Sequence, residues 1–140
     1  MLDQPIRYLM EDSKLLTAPP EMTVTAAAKL MAAKNAGAVI ILKDERLMGI
    51  FTERDAVFRV IARGLDAAHT LLSDVMTRAP KTLPPDTSYG HALLLMQENG
   101  FRHVPIVENE RVIGIVSSRN AMDPDLEEFV SEERRREHFR

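Results

Sequence analysis

The chain has 140 residues, of which 45% are hydrophobic and 28% are charged, as in an ordinary globular protein. That length is enough for one compact domain or two packed half-domains, but too short for a domain plus a (β/α)8 barrel. The chain contains no cysteine, which excludes disulfides, thiol catalysis and thiolate metal sites. Its net charge of −3 offers no basic face, so we expect no nucleic-acid partner.

The first twenty residues lack the basic start and apolar run of a leader, and no later run of about 18 apolar residues follows. We therefore expect a cytoplasmic protein with no membrane partner. The charge is unevenly placed, because residues 123–140 carry seven acids and four arginines and so account for the whole net charge.

The first half of the chain predicts a short helix at IRYLM, an extended piece at 15–17, and a break at the Pro19-Pro20 pair. Apolar residues at helical spacing then predict a helix that starts near Thr23 and stops near Asn35 and Gly37. Two short apolar runs, 38–42 and 47–51, flank the polar link KDER and predict a hairpin. A second helix is predicted from Thr52 to Gly64.

The second half repeats these features in the same order. A helix at LLSDVM, within the linker 65–80, precedes an extended piece at 81–83, and a helix from about Tyr89 follows. Strands at 103–107 and 112–116 flank ENER, and a short helix from Ser117 ends before Pro124. Asp123 as cap and Pro124 at the first position predict a further helix in the tail.

The two halves are copies of one another. A shift of 65 positions aligns residues 17–57 with 82–122 without a gap, and 14 of the 41 pairs are identical. GIFTERDA at 49–56 thus recurs as GIVSSRNA at 114–121. The fold class predicted is α/β, with two tandem β-α-β-β-α repeats packed about a pseudo-twofold axis. The predicted divisions are 5–64, 65–122 and a charged helical tail at 123–140.

This doubled pattern resembles the cystathionine-β-synthase domain, the CBS domain. The resemblance rests on the strand that ends Gly-hydrophobe-hydrophobe-Thr/Ser, the acid or amide three residues on, and the segment FRHVPIV. It covers about residues 5–122. The resemblance implies a regulatory module, commonly a homodimer, that binds AMP, ADP, ATP, S-adenosylmethionine or NAD between its repeats and signals to a partner protein.

The same resemblance implies the site residues. A carboxylate beside a helix N-terminus can accept hydrogen bonds from a ribose diol, and the matching positions are Thr52, Arg54 and Asp55 with Ser117, Arg119 and Asn120. Arg102 and His103 are assigned to phosphate. The walls of the adenine slot are expected at Thr17, Ala18, Pro19, Ala38, Val39, Thr82, Leu83, Pro84, Val104 and Pro105.

A simpler interpretation of Thr52 and Asp55 remains open. Thr-x-x-Asp before an apolar helix is close to a capping box, in which both side chains satisfy only helix N–H groups. Asn120 lacks the charge of Asp55, so the second site is expected to be weaker, differently selective or empty. His103 is equally compatible with a satisfied polar residue at the start of a strand.

No phosphate-binding loop, nucleophile elbow or paired-carboxylate motif is present, so no enzymatic activity is expected. The histidines lack the spacing of a metal site, and no catalytic cofactor or metal is predicted. The alternative to a ligand sensor is a structural dimerisation module with a degenerate cleft that binds no ligand.

Overall fold

The computed structural model describes residues 2–10, 15–118 and 124–138. The strands are β1 Thr17–Ala18, β2 Ala38–Lys43, β3 Arg46–Thr52, β4 Thr77–Arg78, β5 His103–Glu108 and β6 Arg111–Ser117. The helices are α1 Val24–Lys34, α2 Glu53–Asp55, α3 Leu72–Val75, α4 Tyr89–Asn99 and α5 Pro124–His138. A π-helical stretch, Ala56–Ile61, continues α2, and a 3-10 turn spans Ile6–Tyr8.

Helices α1 and α4 begin and end where the sequence predicts, whereas Asp123, the predicted cap of α5, lies outside the described residues. Thr23 stands before α1 in an extended conformation, and its Oγ1 accepts a hydrogen bond from the amide of Ala26 at 3.2 Å. Asn35 ends α1 at φ 50° and Gly100 ends α4 at φ 74°, both left-handed. The predicted helix boundaries are therefore confirmed at these residues.

Each repeat contains an antiparallel hairpin. Strands β2 and β3 pair with Ile40 opposite Ile50, and β5 and β6 pair with Pro105 opposite Ile115, which is the same register after a shift of 65. Strand β1 adds parallel to β2 and β4 adds antiparallel to β3, so the first sheet has the order β1-β2-β3-β4. The extended piece predicted at 81–83 pairs only through a single parallel bridge between Leu83 and Ile106.

Among the residues that the structure describes, the buried apolar side chains form three clusters. One lies within each repeat, against the helices, and a third joins the two hairpins and contains Ala38, Ile40, Ile50 and Ile115. Burial of both faces of β2 explains its unbroken apolar run, since a strand with one wet face would alternate. The two repeats thus share a core, and the predicted tandem α/β architecture is confirmed.

The segment before each repeat docks on the other repeat. Ile6 is fully buried in the core of the second repeat, and its amide donates to the carbonyl of Thr87 at 2.9 Å. Leu72 is fully buried in the core of the first, and its amide donates to the carbonyl of Met22 at 2.8 Å. Met22 and Thr87 are 65 positions apart, so the exchange follows the pseudo-twofold axis. The divisions at 5–64, 65–122 and 123–140 stay a prediction.

Candidate functional site

A cavity of about 690 Å³ lies between the two repeats. That volume falls within the range of small-molecule sites. Three segments line it: the end of β3 with α2 and its π-helical continuation, the linker around β4, and the turn from α4 into β5. The lining residues are Ile50, Thr52, Glu53, Arg54, Asp55, Phe58, Arg59, Thr77, Ala79, Pro80, Lys81, Asn99, Gly100, Phe101, Arg102 and His103.

Thr52 and Asp55 form a capping box at the start of α2. The Oδ2 atom of Asp55 accepts from the amide of Thr52 at 2.9 Å and from its hydroxyl at 3.2 Å, and the amide of Asp55 donates to Thr52 Oγ1 at 3.3 Å. Asp55 is 8% exposed, which makes it a buried charge on the cavity wall. The cap and a ligand role are compatible, because a carboxylate has further acceptor positions.

The second carboxylate oxygen of Asp55 faces two other side chains. Arg59 Nε lies 3.4 Å from Asp55 Oδ1, one helical turn along, and the hydroxyl of Thr77 donates to the same oxygen at 3.5 Å. Arg59 also donates through Nη1 to the carbonyl of Met76 at 3.0 Å. The buried carboxylate is therefore charge-balanced by its own helix and tied to the linker that carries β4.

Arg54 crosses the cavity from one repeat to the other. Its Nη1 donates to the carbonyl of Gly100, at the C-terminal end of α4, at 3.0 Å. Its guanidinium lies 4.9 Å from the ring centroid of Phe58, in cation–π range. Beside this contact, Lys81 Nζ donates to Asn99 Oδ1 at 3.0 Å. Both cations are exposed, so they stand at the mouth of the cavity.

Gly37 provides the space in which the two repeats meet at the cavity. A Cβ at this position would collide with the carboxylate of Glu53 and lie 3.1 Å from Nε2 of His103. The amide of Glu53 donates to the carbonyl of Gly37 at 3.1 Å. The second repeat has the equivalent hydrogen bond 65 positions later, from the amide of Ser118 to the carbonyl of Arg102, also at 3.1 Å. The glycine thus leaves room for the carboxylate of Glu53 and for an imidazole from the other repeat.

The lining of the cavity is net positive. Four cations, Arg54, Arg59, Lys81 and Arg102, stand against Glu53 and Asp55, which leaves +2 with His103 neutral. A concave site lined by one sign of charge raises the local concentration of ligands of the other sign. The arrangement favours an anion at the mouth.

Five of the predicted site residues meet in this cavity, namely Thr52, Arg54, Asp55, Arg102 and His103. The others that the structure describes lie outside it: Thr17, Ala18, Pro19, Ala38, Val39, Thr82, Leu83, Pro84, Val104, Pro105 and Ser117. Among these, Ala18, Ala38, Val39, Val104 and Pro105 are buried in the strands. Arg119 and Asn120 lie outside the described residues. The adenine slot predicted along the strands stays a prediction.

Sequence reasoning missed Arg59, Phe58, the linker residue Thr77, and Lys81 directly after the linker. Arg59 follows Asp55 by four residues, the spacing of an intrahelical ion pair, so a signal for it was present. Thr77 and Lys81 had no such signal, because residues 77–81 fall outside the aligned copies.

The family model of the CBS domain matches residues 6–62 and again 72–124. The chain belongs to the CBS-domain family. Among its curated relatives is the meiotically up-regulated gene 70 protein of Schizosaccharomyces pombe, 36% identical over 129 residues. This match covers 84% of the chain but 18% of the relative, so the CBS pair spans about a fifth of that protein. The CBS domain-containing protein CBSX3, mitochondrial, of Arabidopsis thaliana is 35% identical over 111 residues, covering 76% of the chain and 54% of the relative.

Several solved structures have the same fold. An uncharacterized conserved protein from Pyrococcus horikoshii superposes with a TM-score of 0.79 at 30% identity, covering 86% of this chain and 90% of that one. The CBS domain pair of protein MJ0100, solved in complex with 5′-methylthioadenosine and S-adenosyl-L-methionine, superposes with a TM-score of 0.75 at 24% identity, covering 84% of this chain and 95% of that one.

The described residues contain neither a candidate metal cluster nor a candidate membrane-spanning helix. Within residues 2–10, 15–118 and 124–138, His, Asp and Glu side chains form no group of three or more that could hold a metal ion. In the same ranges, no helix has the length and apolar character needed to cross a membrane.

Proposed function

We propose that this CBS pair is a regulatory module that binds an adenosine-containing ligand in the cavity between its repeats. The observation that carries the proposal is the position of Asp55, a buried carboxylate on the wall of a cavity whose mouth is cationic. A carboxylate suits a ribose diol, and exposed guanidinium and ammonium groups suit phosphate. The ligand complex of MJ0100 is a precedent for adenosyl ligands on this fold.

The ligand would couple the repeats to the linker. Asp55 contacts Thr77 on β4, Arg59 contacts the carbonyl of Met76, and Arg54 reaches Gly100 on the other repeat. A molecule seated among these groups gains contacts from both repeats at once, and any change in their spacing is available to a partner protein. We propose a cytoplasmic sensor of this kind, with a regulated partner still to be found.

We also propose that the module forms a homodimer. The π-helical continuation of α2 exposes Val57 by 48%, Phe58 by 55% and Ile61 by 71%. Three large apolar side chains exposed along one helical stretch form a patch of the kind that marks protein–protein interfaces. Light scattering of Ile61→Lys beside an Ile61→Val control tests this proposal, because only the lysine variant should be monomeric.

Titration calorimetry with AMP, ADP, ATP, NAD and S-adenosylmethionine tests the ligand proposal. Asp55→Asn keeps an acceptor for the Thr52 amide and removes the charge, whereas Asp55→Ala removes both. We expect binding to weaken by about 1.5–3 kcal/mol in Asp55→Ala, the scale of a hydrogen bond to a charged group. Asp44→Asn, in an exposed hairpin turn, is the matched control. Binding unaffected by both Asp55 variants would refute the site.

A further inference from the structure

Three of the cations at the cavity have no anionic partner within the described part of the chain. Arg54 contacts a carbonyl and an aromatic ring, and Lys81 contacts the side-chain amide of Asn99. Arg102 is exposed and forms no ion pair there. Neutral partners hold these side chains in place without cancelling their charge.

The fourth cation behaves differently. The guanidinium of Arg59 lies 3.4 Å from the carboxylate of Asp55, so these two charges balance. Thr52 and Thr77 supply hydroxyl groups at the same wall of the cavity. The cavity is therefore polar and near-neutral at this wall, while the three remaining cations and the exposed carboxylate of Glu53 leave a net charge of +2 toward its mouth. A ligand that fits has an uncharged hydroxylated part inside and its negative charge outside.

From this distribution, and resting on the proposed function, we infer that the cavity selects nucleotides with two or more phosphates over nucleoside monophosphates and over S-adenosylmethionine. A single phosphate satisfies only some of three separate cations, whereas a phosphate chain can reach them together. The sulfonium of S-adenosylmethionine brings a positive charge to a site that is already positive, and this repulsion disfavours it.

The geometry assigns Lys81 as the residue that contacts the end of the phosphate chain. Its ammonium is a compact charge on a flexible stem, and its present partner is a neutral amide that it can leave at low cost. Lys81 begins the extended piece 81–83, directly after the linker, and belongs to neither hairpin. The position 65 residues earlier is Leu16, and the equivalent of Arg102 is Gly37, so the pseudo-symmetric position has neither cation.

Titration calorimetry in EDTA at low salt tests the inference with AMP, ADP, ATP, S-adenosylmethionine and inorganic triphosphate. The parent protein should bind ATP at least about tenfold more tightly than AMP, as several charge-assisted contacts add. Lys81→Gln should reduce ATP affinity by about fivefold and leave AMP unchanged, in keeping with an exposed ion pair. Lys43→Gln, at an exposed strand end, should change neither affinity.

Several outcomes would overturn the inference. Equal affinities of the parent protein for AMP and ATP would overturn the selection, and so would an equal loss of the two affinities in Lys81→Gln. If Asp55→Asn still weakens the binding of both nucleotides, the proposed adenosine site stands even so. Inorganic triphosphate that binds as tightly as ATP would show that the site recognises free polyphosphate rather than a nucleotide. Absence of any heat at millimolar nucleotide would refute the proposed function itself, and the inference with it.

Discussion

Arg59 Nε lies 3.4 Å from Asp55 Oδ1, and the same guanidinium donates to the carbonyl of Met76 at 3.0 Å. The side chain of Arg59 therefore connects the buried carboxylate of Asp55, on the same helix, to the linker between the repeats. This contact gives Asp55 a partner in the absence of ligand and fixes the orientation of its carboxylate toward the cavity.

Removal of that partner should destabilise the fold. In Arg59→Gln, Asp55 keeps its hydrogen bonds from Thr52 but loses its counter-charge, and we expect a loss of about 1 kcal/mol in the free energy of unfolding, since Arg59 is partly exposed. Urea denaturation measures this loss. Arg63→Gln, an exposed arginine beyond the cavity, should stay near the parent value. Equal stability of the two variants would contradict the role given to Arg59.

Gly49 and Gly114 occupy equivalent positions in the two copies, but we expect their substitution by alanine to destabilise the protein to different extents. A Cβ on Gly49 would lie 2.6 Å from Met76 Sδ and 2.7 Å from the carbonyl oxygen of Thr77, whereas the three nearest atoms to a Cβ on Gly114 all belong to the Met10 side chain, with Sδ at 2.7 Å. Backbone cannot move aside as a methionine can. Gly49→Ala should therefore cost about 1–3 kcal/mol.

Gly114→Ala is the matched comparison and should cost less than Gly49→Ala. Thermal unfolding of both variants measures the difference. If Gly114→Ala is the more destabilising of the two, the packing assigned to Met76 and Thr77 is wrong.

Arg7, in the segment before the first repeat, forms ion pairs with two acidic residues of the second repeat. Its Nη2 lies 2.6 Å from Glu108 Oε2, and its Nε lies 3.3 Å from Asp86 Oδ1. These hydrogen bonds, first to Asp86 and then to Glu108, raise the pKa of Arg7 further above its ordinary value. Arg7→Gln should lower the melting temperature at low salt, and the difference from the parent should shrink in 1 M salt as the charges are screened.

Arg111→Gln supplies the control for Arg7, because the ion pair of Arg111 with Glu45 is more exposed on both sides than the pair of Arg7 with Glu108. We expect a smaller change in melting temperature in this variant at every salt concentration. A deficit in Arg7→Gln that is independent of salt would indicate lost packing instead of lost charge.

Asp66 organises the linker between the repeats and predicts an acid sensitivity. A hydrogen bond from His69 at 2.6 Å, followed by one from the amide of Ala68 at 3.0 Å, lowers the pKa of Asp66. A carboxyl group whose pKa is lowered by folding stabilises the native state above its unfolded pKa, and this contribution is lost as pH falls through the folded pKa.

Hydrogen exchange can follow this loss locally. The carbonyl of Ala67, in the loop that Asp66 holds, accepts from the amide of Thr25 at 3.1 Å. The protection factor of Thr25 should fall as Asp66 is protonated, and Asp66→Asn should show the lower protection already at neutral pH. A pH-independent protection factor in the parent would count against this account of the linker.

The hairpins and the helix caps could be predicted because their signals are local. Apolar runs, turn residues such as Asp44 and Glu45 with positive φ, and the Thr23 cap each lie within a few residues of the structure they specify. The docking of Ile6 and Leu72 on the opposite repeats could not be predicted, since no periodic pattern relates residues so far apart. The same limit applies to the contact of Arg7 with Glu108, 101 positions away.

The site was partly predictable for a related reason. Thr52 and Asp55 belong to a repeated phrase, so the comparison of the two halves exposed them. Thr77 belongs to the linker and Lys81 begins the extended piece after it, and both precede the aligned copy that starts at Thr82. They reach the cavity only because β4 pairs with β3, with Thr77 opposite Ile50, which is a tertiary contact.

Amide chemical-shift mapping with ATP tests the central claim most directly, because it reports where a ligand sits. We predict the largest shifts at residues 52–59, 77–81 and 99–103, which surround the cavity. Shifts centred on the strand positions 17–19 and 82–84 would move the site away from this cavity. No shift at millimolar ATP, with the amide spectrum of a folded protein, would contradict the claim that the cavity binds a nucleotide.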